Sequence, residues 1–129
     1  MNPYLFVYGS LLSTAGHPMG ARLRRESRLI GEAALPGRLY RISQYPGLVE
    51  DPDAQPWVAG EVYELSNPTA SLHWLDAYEG IVPGAAGSDE YERVERLLRL
   101  VSGEELMAWV YLYRKPVAGL QLIASGRWT

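Results

Sequence analysis

One glutamate, Glu79, stands where the surrounding sequence predicts an apolar surface. The segment after Asn67-Pro68 has helical spacing, and on a helical wheel with Leu72 at zero, Leu75 lies at about −60° and Glu79 at about −20°. An ionised glutamate is rarely buried unless it is paired or functional. Glu79 is therefore the first candidate for a residue that carries chemistry.

Two effects would raise the pKa of the Glu79 carboxyl above its ordinary value of about 4.3. They are burial against the leucines and the negative end of the helix dipole at the last turn. A carboxyl tuned toward neutrality can accept a proton and return it, as a general acid/base does. The alternative is a structural glutamate held by an arginine, for which Arg93 is the candidate partner. Asp76, at about +40° on the wheel, is expected to be a cap or a surface charge.

The turn that follows the N-terminal apolar run is a second candidate. Residues 4–8 are uniformly apolar or β-favouring, which predicts a strand buried on both faces. Gly9 has no Cβ and can adopt a positive φ, so the N–H groups of Ser10 and Leu11 could form a small anion cradle with the Ser10 hydroxyl. The alternative is an ordinary turn at the end of a strand.

The composition excludes several kinds of site. The 129 residues include no cysteine and two histidines, His17 and His73, which excludes thiolate chemistry and metal centres built on cysteine or several histidines. His73 lies on the polar side of the wheel and is expected to face solvent. The net charge of −3 and the pI of about 5.4 give no electrostatic basis for binding nucleic acid.

The length and the N-terminus indicate the class of protein. The length fits one domain spanning residues 1–129. The N-terminal apolar run is too short to span a bilayer and lacks a basic leader. We therefore expect a cytoplasmic protein with no membrane partner.

Five further strands and two helices are expected around the candidate residues. The predicted strands are 29–35, 38–42, 57–65, 91–101 and 106–113. Pro36-Gly37 separates the first two, Tyr45-Pro46-Gly47 closes them as a pair, and the last two form a hairpin. Gly31 is expected to mark a bulge, and Gly60 a close backbone approach.

Two helices are expected along the chain. A short helix lies within 13–28, and a second begins at Pro68 with Asn67 as its N-cap. The second helix should run to about Glu79 because Gly80 suits a left-handed C-terminal cap. Residues 81–90 are expected to form a loop.

Four short motifs, in this order and spacing, resemble the gamma-glutamylcyclotransferase-like superfamily. The motifs are Val7-Tyr8-Gly9-Ser10-Leu11, Gly60-Glu61-Val62-Tyr63-Glu64-Leu65, Leu75-Asp76-Ala77-Tyr78-Glu79-Gly80 and Tyr91-Glu92-Arg93. The resemblance extends from the N-terminus to about Tyr113, which is nearly the whole chain.

The resemblance implies an α+β fold, namely a small mixed β-barrel with flanking helices and a cavity. By that similarity Glu79 is the catalytic acid/base. The turn Tyr8, Gly9, Ser10 and Leu11 binds the substrate, and Tyr91 and Tyr113 line the pocket. Arg93 is expected to be a structural or pocket-edge partner.

The family reaction converts a γ-glutamyl amine or γ-glutamyl amino acid to 5-oxoproline and a free amine. The resemblance therefore implies a cyclotransferase whose partner is a small γ-glutamyl molecule and which requires no metal and no cofactor. A non-catalytic binding module on the same barrel is the alternative, because the four tryptophans and nine tyrosines could equally supply a binding surface. An RNA-binding barrel is disfavoured because the strands lack interleaved basic and aromatic residues.

Overall fold

The computed structural model describes residues 1–81 and 89–129. Eight strands and two helices are present in these ranges. In chain order they are β1 Tyr4–Val7, α1 Pro18–Arg25, β2 Ser27–Leu35, β3 Gly37–Arg41, β4 Pro46–Glu50, β5 Val58–Leu65, α2 Pro68–Tyr78, β6 Tyr91–Leu100, β7 Glu105–Tyr113 and β8 Gln121–Leu122. Most of the predicted 81–90 loop, residues 82–88, lies outside the described residues.

Five strands form a closed barrel in the order β1-β5-β2-β6-β7. Neighbouring strands are antiparallel except β1 and β7, which pair in parallel and close the barrel. Helices α1 and α2 flank it, and a separate sheet has the order β4-β3-β8. The predicted mixed barrel with flanking helices is confirmed.

The central strand β1 is buried on both faces, as its unbroken apolar run predicts. Leu5 and Val7 belong to one hydrophobic cluster with the α2 leucines Leu72 and Leu75. Phe6 points the other way, into a second cluster that fills the barrel interior. Successive side chains of a strand alternate between its faces, so one strand contributes to both cores.

Two predicted backbone features of the barrel are confirmed. The register between β2 and β5 shifts between Leu29 and Gly31, which is the expected bulge. At Gly60 a side-chain carbon would collide with the carbonyl oxygen of Val7 and with the Phe6 ring, so only glycine allows β1 and β5 to approach this closely.

The predicted pairing of the second and third strands is wrong. β2 stays in the barrel, whereas β3 leaves it after Pro36 and pairs with β4, with Gly37 opposite Glu50 and Arg41 opposite Pro46. Tyr45-Pro46-Gly47 is therefore not the end of a pair, because Pro46 begins a strand. A proline is tolerated there because β4 lies at the edge of its sheet. β8 is too short to leave a sequence pattern.

Helix α2 begins and ends as predicted. The Asn67 side chain accepts a hydrogen bond from the Ala70 N–H at 3.3 Å, and Pro68 occupies the first helical position. Glu79 is the C-cap residue, and Gly80 follows with φ of +77° in the left-handed region. This arrangement places the Glu79 side chain at the end of the helix that packs on the barrel.

The two helices are joined through Glu26, the residue that ends α1. Its carboxylate accepts hydrogen bonds from the Ser71 hydroxyl at 2.9 Å and from the Trp74 indole at 2.8 Å. Arg22 donates to the same carboxylate at 3.1 Å. These charge-assisted bonds lower the pKa of Glu26, the bond from Trp74 contributing most, and they fix α2 relative to α1.

Candidate active site

A cavity of about 490 Å³ lies where β1, α2 and β7 meet, and we call it the Glu79 cavity. It is lined by the end of β1 and the following turn, the end of α2, the β3–β4 turn, the start of β6 and the middle of β7. A volume of this size accommodates a small metabolite. Its lining includes six of the seven residues predicted to bind substrate or catalyse, namely Tyr8, Gly9, Ser10, Leu11, Glu79 and Tyr91.

The carboxyl of Glu79 is partly buried, and its pKa is strongly raised. Its backbone N–H donates to the Leu75 carbonyl at 2.9 Å, which holds it in the last turn of α2. Burial raises the pKa of Glu79 to about 7, and the negative charges of Glu90 and Asp76 act in the same direction. Burial is the cause that the sequence predicted. The two neighbouring carboxylates are further causes that the sequence did not reveal.

Arg93 pairs with Asp76 and not with Glu79. Its Nε and Nη2 atoms donate to the two Asp76 carboxylate oxygens at 2.8 and 3.2 Å. The Tyr111 hydroxyl donates to Asp76 Oδ1 at 2.6 Å. The structural alternative for Glu79, a pair with Arg93, is therefore wrong, and so is the expectation that Asp76 is a cap or a surface charge. The sequence did indicate that Asp76 lies near Glu79, since Asp76 precedes Glu79 by about one helical turn and lies on the same side of the helix.

The turn after β1 leaves two backbone donors available. The Leu12 N–H donates to the Gly9 carbonyl at 3.0 Å and closes the turn. Within residues 1–81 and 89–129, neither the Ser10 nor the Leu11 N–H donates to a protein acceptor. The Ser10 hydroxyl, in contrast, is already hydrogen-bonded to the Tyr78 hydroxyl at 2.7 Å. The cradle therefore consists of backbone donors, with the serine side chain held by the helix.

Gly9 is required for a different reason from the one its sequence suggested. Its φ is not positive. A Cβ at Gly9 would instead lie 2.7 Å from Cδ of Pro46, the first residue of β4, so a larger residue would push Pro46, and the β3–β4 turn before it, away from β1. The close approach brings that turn to the Glu79 cavity.

Tyr91 lines the cavity as the family resemblance implied, whereas Tyr113 does not. Tyr91 donates its hydroxyl hydrogen to the Pro46 carbonyl at 2.6 Å. Tyr113 packs edge-on against the Tyr91 ring, with 5.5 Å between ring centroids, and is covered by Gly47 of β4. Tyr111, two residues earlier on the same face of β7, lines the cavity in its place. Because both tyrosines lie on the same face of β7, the alternation of side chains along a strand could not show which of them lines the cavity.

Tyr8 has a structural role at the wall of the cavity. Its hydroxyl donates to the Tyr111 carbonyl at 2.5 Å and accepts from the Leu48 N–H at 3.3 Å. Burial raises the pKa of Tyr8 far above its ordinary value, so the phenol stays protonated. The residue links β1, β7 and β4 at the point where the site is formed.

Two further lining residues were missed by sequence reasoning. Tyr45 donates its hydroxyl hydrogen to Glu90 Oε1 at 2.7 Å, and this bond is the first cause that raises the pKa of Tyr45 to about 12. His17, the N-cap of α1, also borders the cavity and lies 3.5 Å from the Tyr78 hydroxyl. His73 is exposed, as predicted.

The part of the chain that the structure describes contains neither a cluster of metal-ligating side chains nor a helix that could span a membrane. Those residues include no group of three or more histidine, aspartate or glutamate side chains that could hold a metal ion. None of the described helices is long and apolar enough to cross a membrane.

The arrangement places a carboxyl with a pKa near neutrality beside two backbone donors that have no acceptor among the described residues. The carboxyl can take up and release a proton near neutral pH. The backbone donors can bind a carboxylate or stabilise a developing oxyanion. Together they suit an acyl-transfer step on a small molecule.

Comparisons with known proteins give concordant results. The family described as "Gamma-glutamyl cyclotransferase, AIG2-like" matches residues 5–129. The gamma-glutamylcyclotransferase family protein ytfP of Citrobacter rodentium is 36% identical over 125 residues, which are 96% of this chain and 93% of that protein. The solution structure of ytfP from Escherichia coli is 35% identical, with a TM-score of 0.64 over 97% of this chain and 95% of that chain. The crystal structure of an aig2-like protein from Mus musculus shares the fold, with a TM-score of 0.71 and 21% identity over 95% of this chain and 86% of that chain.

Proposed function

Because the chain belongs to the gamma-glutamylcyclotransferase family, we propose that it converts a γ-glutamyl amine or γ-glutamyl amino acid to 5-oxoproline and a free amine. Glu79 is the general acid/base in this proposal. The supporting observation is that the Glu79 carboxyl borders the cavity with its pKa raised to about 7. A pKa near the working pH lets one group act as base and then as acid.

The chemistry proceeds by intramolecular attack. Glu79 takes a proton from the substrate's α-ammonium, and the freed nitrogen attacks the γ-carbonyl carbon. The bond from this carbon to the leaving nitrogen breaks as the tetrahedral intermediate collapses. The two protons lost by the attacking nitrogen end on the departing amine, so Glu79 is protonated and deprotonated in turn and is regenerated.

The backbone donors bind the other end of the glutamyl group. The N–H groups of Ser10 and Leu11 hold the α-carboxylate or the carbonyl oxygen where negative charge develops. Holding the glutamyl chain in its folded conformer supplies a large part of the rate enhancement, because well-oriented intramolecular reactions gain roughly 7–11 kcal/mol. The protein acts here mainly by positioning.

The test is release of 5-oxoproline, measured by mass spectrometry, from a panel of γ-glutamyl amino acids and γ-glutamyl amines. We expect Glu79→Gln to lower kcat by at least about a hundredfold, the usual contribution of a general acid/base. The matched control is Glu92→Gln, which removes a carboxylate that is exposed and paired with Arg114. This control should keep full turnover.

Undiminished turnover by folded Glu79→Gln would remove Glu79 from the mechanism. No release from any member of the panel by folded wild-type protein would overturn the activity and favour the binding module. The small-molecule partner and the cytoplasmic location stay predictions alongside the activity.

A further inference from the structure

The tyrosine hydroxyls around the Glu79 cavity offer acceptors to a ligand, because their hydrogens are already used. Tyr45, Tyr91 and Tyr111 donate to Glu90, to the Pro46 carbonyl and to Asp76, at 2.7, 2.6 and 2.6 Å respectively. A hydroxyl has one hydrogen to donate, so each oxygen retains only the capacity to accept. This part of the wall is suited to a ligand that carries hydrogen-bond donors.

The charged side chains around the cavity also favour a ligand that donates hydrogen bonds or carries positive charge. Its described lining contains two carboxylates, Glu79 and Glu90, and no lysine or arginine. Residues 82–88, Val-Pro-Gly-Ala-Ala-Gly-Ser, contribute no charged side chain by sequence. The nearby charge of Asp76 is matched by Arg93 at 2.8 Å. Among its described lining residues the cavity therefore has carboxylates but no lysine or arginine opposite them.

Glu90 is held in place by contacts at both its backbone and its side chain. Its carbonyl oxygen accepts from the Arg114 N–H at 2.8 Å, immediately before β6. Its carboxylate accepts from the Tyr45 hydroxyl of the β3–β4 turn at 2.7 Å. A carboxylate fixed by two separate elements can select among ligands, because it loses little conformational freedom on binding.

The glutamyl half of a substrate cannot supply the missing charge. Its α-ammonium and α-carboxylate carry opposite charges and sum to zero. The α-ammonium must also lie against Glu79, since it loses its proton there in the proposed mechanism. Neither the glutamyl half nor the described lining then offers a cation to the second carboxylate, Glu90, whereas a positively charged leaving half would.

We propose that the preferred substrates are γ-glutamyl amides of cationic amines, and that Glu90, oriented by Tyr45, binds the ammonium of the leaving half. The inference rests on the proposed function, since it assigns the leaving group of that reaction. Glu90 is thereby a specificity-determining residue. Its partner Tyr45 is a positioning residue, because it acts through Glu90.

The test compares two substrates that differ in one group, γ-glutamyl 4-aminobutylamide and γ-glutamyl pentylamide, in which a methyl replaces the terminal ammonium. We expect the wild type to show a kcat/KM at least about tenfold higher for the cationic amide, which corresponds to one charge-assisted contact with Glu90. Glu90→Gln should bring this ratio close to one. Tyr45→Phe should lower it by a smaller factor, because Glu90 keeps its charge but loses its orientation.

Two controls make the ratio specific to the cavity. Glu92→Gln removes a carboxylate two residues along the chain, outside the cavity, and should leave the ratio unchanged. Raising the salt concentration should affect the ratio little in comparison with Glu90→Gln, since screening weakens exposed charge pairs most. Turnover of both amides at equal kcat/KM by the wild type, or a ratio that survives Glu90→Gln, would overturn the inference.

Failure of the proposed function gives a different result. If neither amide is turned over, calorimetric titration of the wild type with each amide measures the same preference as a ratio of Kd values. Tighter binding of the cationic amide, lost in Glu90→Gln, would support the cavity's charge preference without the reaction. Equal binding, or no binding of either amide, would overturn it.

Discussion

The Glu79 cavity and the barrel interior are adjacent regions built from consecutive residues of the same strand. On β7, Tyr111 lines the cavity, whereas Leu112 is fully buried in the barrel interior with Val110 and Ala108. The interior contains apolar groups that need no partners. The cavity contains hydroxyls and carboxylates, each of which must find a partner or shift its pKa.

This contrast separates stability from chemistry within one small barrel. Apolar burial in the interior stabilises the fold in proportion to the area removed from water. Next to the cavity, Asp76 is stabilised by Arg93 and Tyr111, whereas burial and nearby negative charge disfavour the ionised form of Glu79. Removing Leu112 from the interior and removing the charge of Glu79 from the cavity should therefore change stability in opposite directions.

The largest effect is expected in the interior. Leu112→Ala removes a side chain that is 0% exposed and leaves a cavity, so the free energy of unfolding should fall by about 2–5 kcal/mol. Urea denaturation measures this change. The folded fraction should keep its turnover, because Leu112 does not border the Glu79 cavity.

Leu97→Ala is the matched control for this prediction. Leu97 is 50% exposed on β6, so its removal should change the free energy of unfolding by no more than about 0.5 kcal/mol. Equal losses in the two variants would show that the interior does not carry the stability assigned to it.

A gain of stability is expected in the cavity. Glu79 has its pKa raised from 4.5 to about 7 in the folded protein, so the wild type loses stability as the pH rises between these values. Glutamine mimics the protonated form. Glu79→Gln should therefore match the wild type near pH 4 and exceed it at pH 8 by up to about 3 kcal/mol, while turnover is lost. Urea denaturation across this pH range gives the difference.

The sign of the difference is the decisive observation. A glutamate that anchored the structure would give a less stable variant at pH 8. Glu92→Gln, outside the cavity, should show no such pH-dependent gain and serves as the control.

A smaller loss is expected where the cavity's charge is paired. Asp76→Asn removes the carboxylate that accepts from Arg93 and Tyr111, and should lower the free energy of unfolding by about 1–2 kcal/mol. It also removes a negative charge that raises the pKa of Glu79, so the acidic limb of the kcat/KM profile should move to lower pH. A purely structural role for Asp76 would leave that limb in place. Glu95→Gln, an exposed change on the same strand as Arg93, is the control.

Local sequence signals predicted much of the fold. The apolar run of β1, the Asn67-Pro68 and Gly80 signals of α2, and the β6–β7 hairpin each involve residues near one another in the chain. The pairing of β3 with β4 was missed because Pro46 was interpreted as the end of a strand pair. Whether a proline ends a strand or begins one at a sheet edge depends on the neighbouring strands, which the local sequence does not specify.

The candidate site was predicted only in part, because most of its contacts join residues that are far apart in the chain. Glu79 was identifiable because a carboxylate interrupts an apolar helical face. Its environment was not, because Tyr45 and Glu90 are 45 positions apart and Asp76 and Arg93 are 17 apart. Such partners are brought together by the barrel and have no common sequence pattern.

The hydrogen bond between the Tyr8 hydroxyl and the Tyr111 carbonyl has a consequence for how the protein forms. These residues are 103 positions apart, yet they lie side by side where the parallel β1–β7 pair closes the barrel. Contacts between distant parts of a chain form late, because the entropy of closing a long loop must be overcome first. On the ribosome, the β1 turn is synthesised long before its partner strand, so the site is assembled only in the last stages of folding.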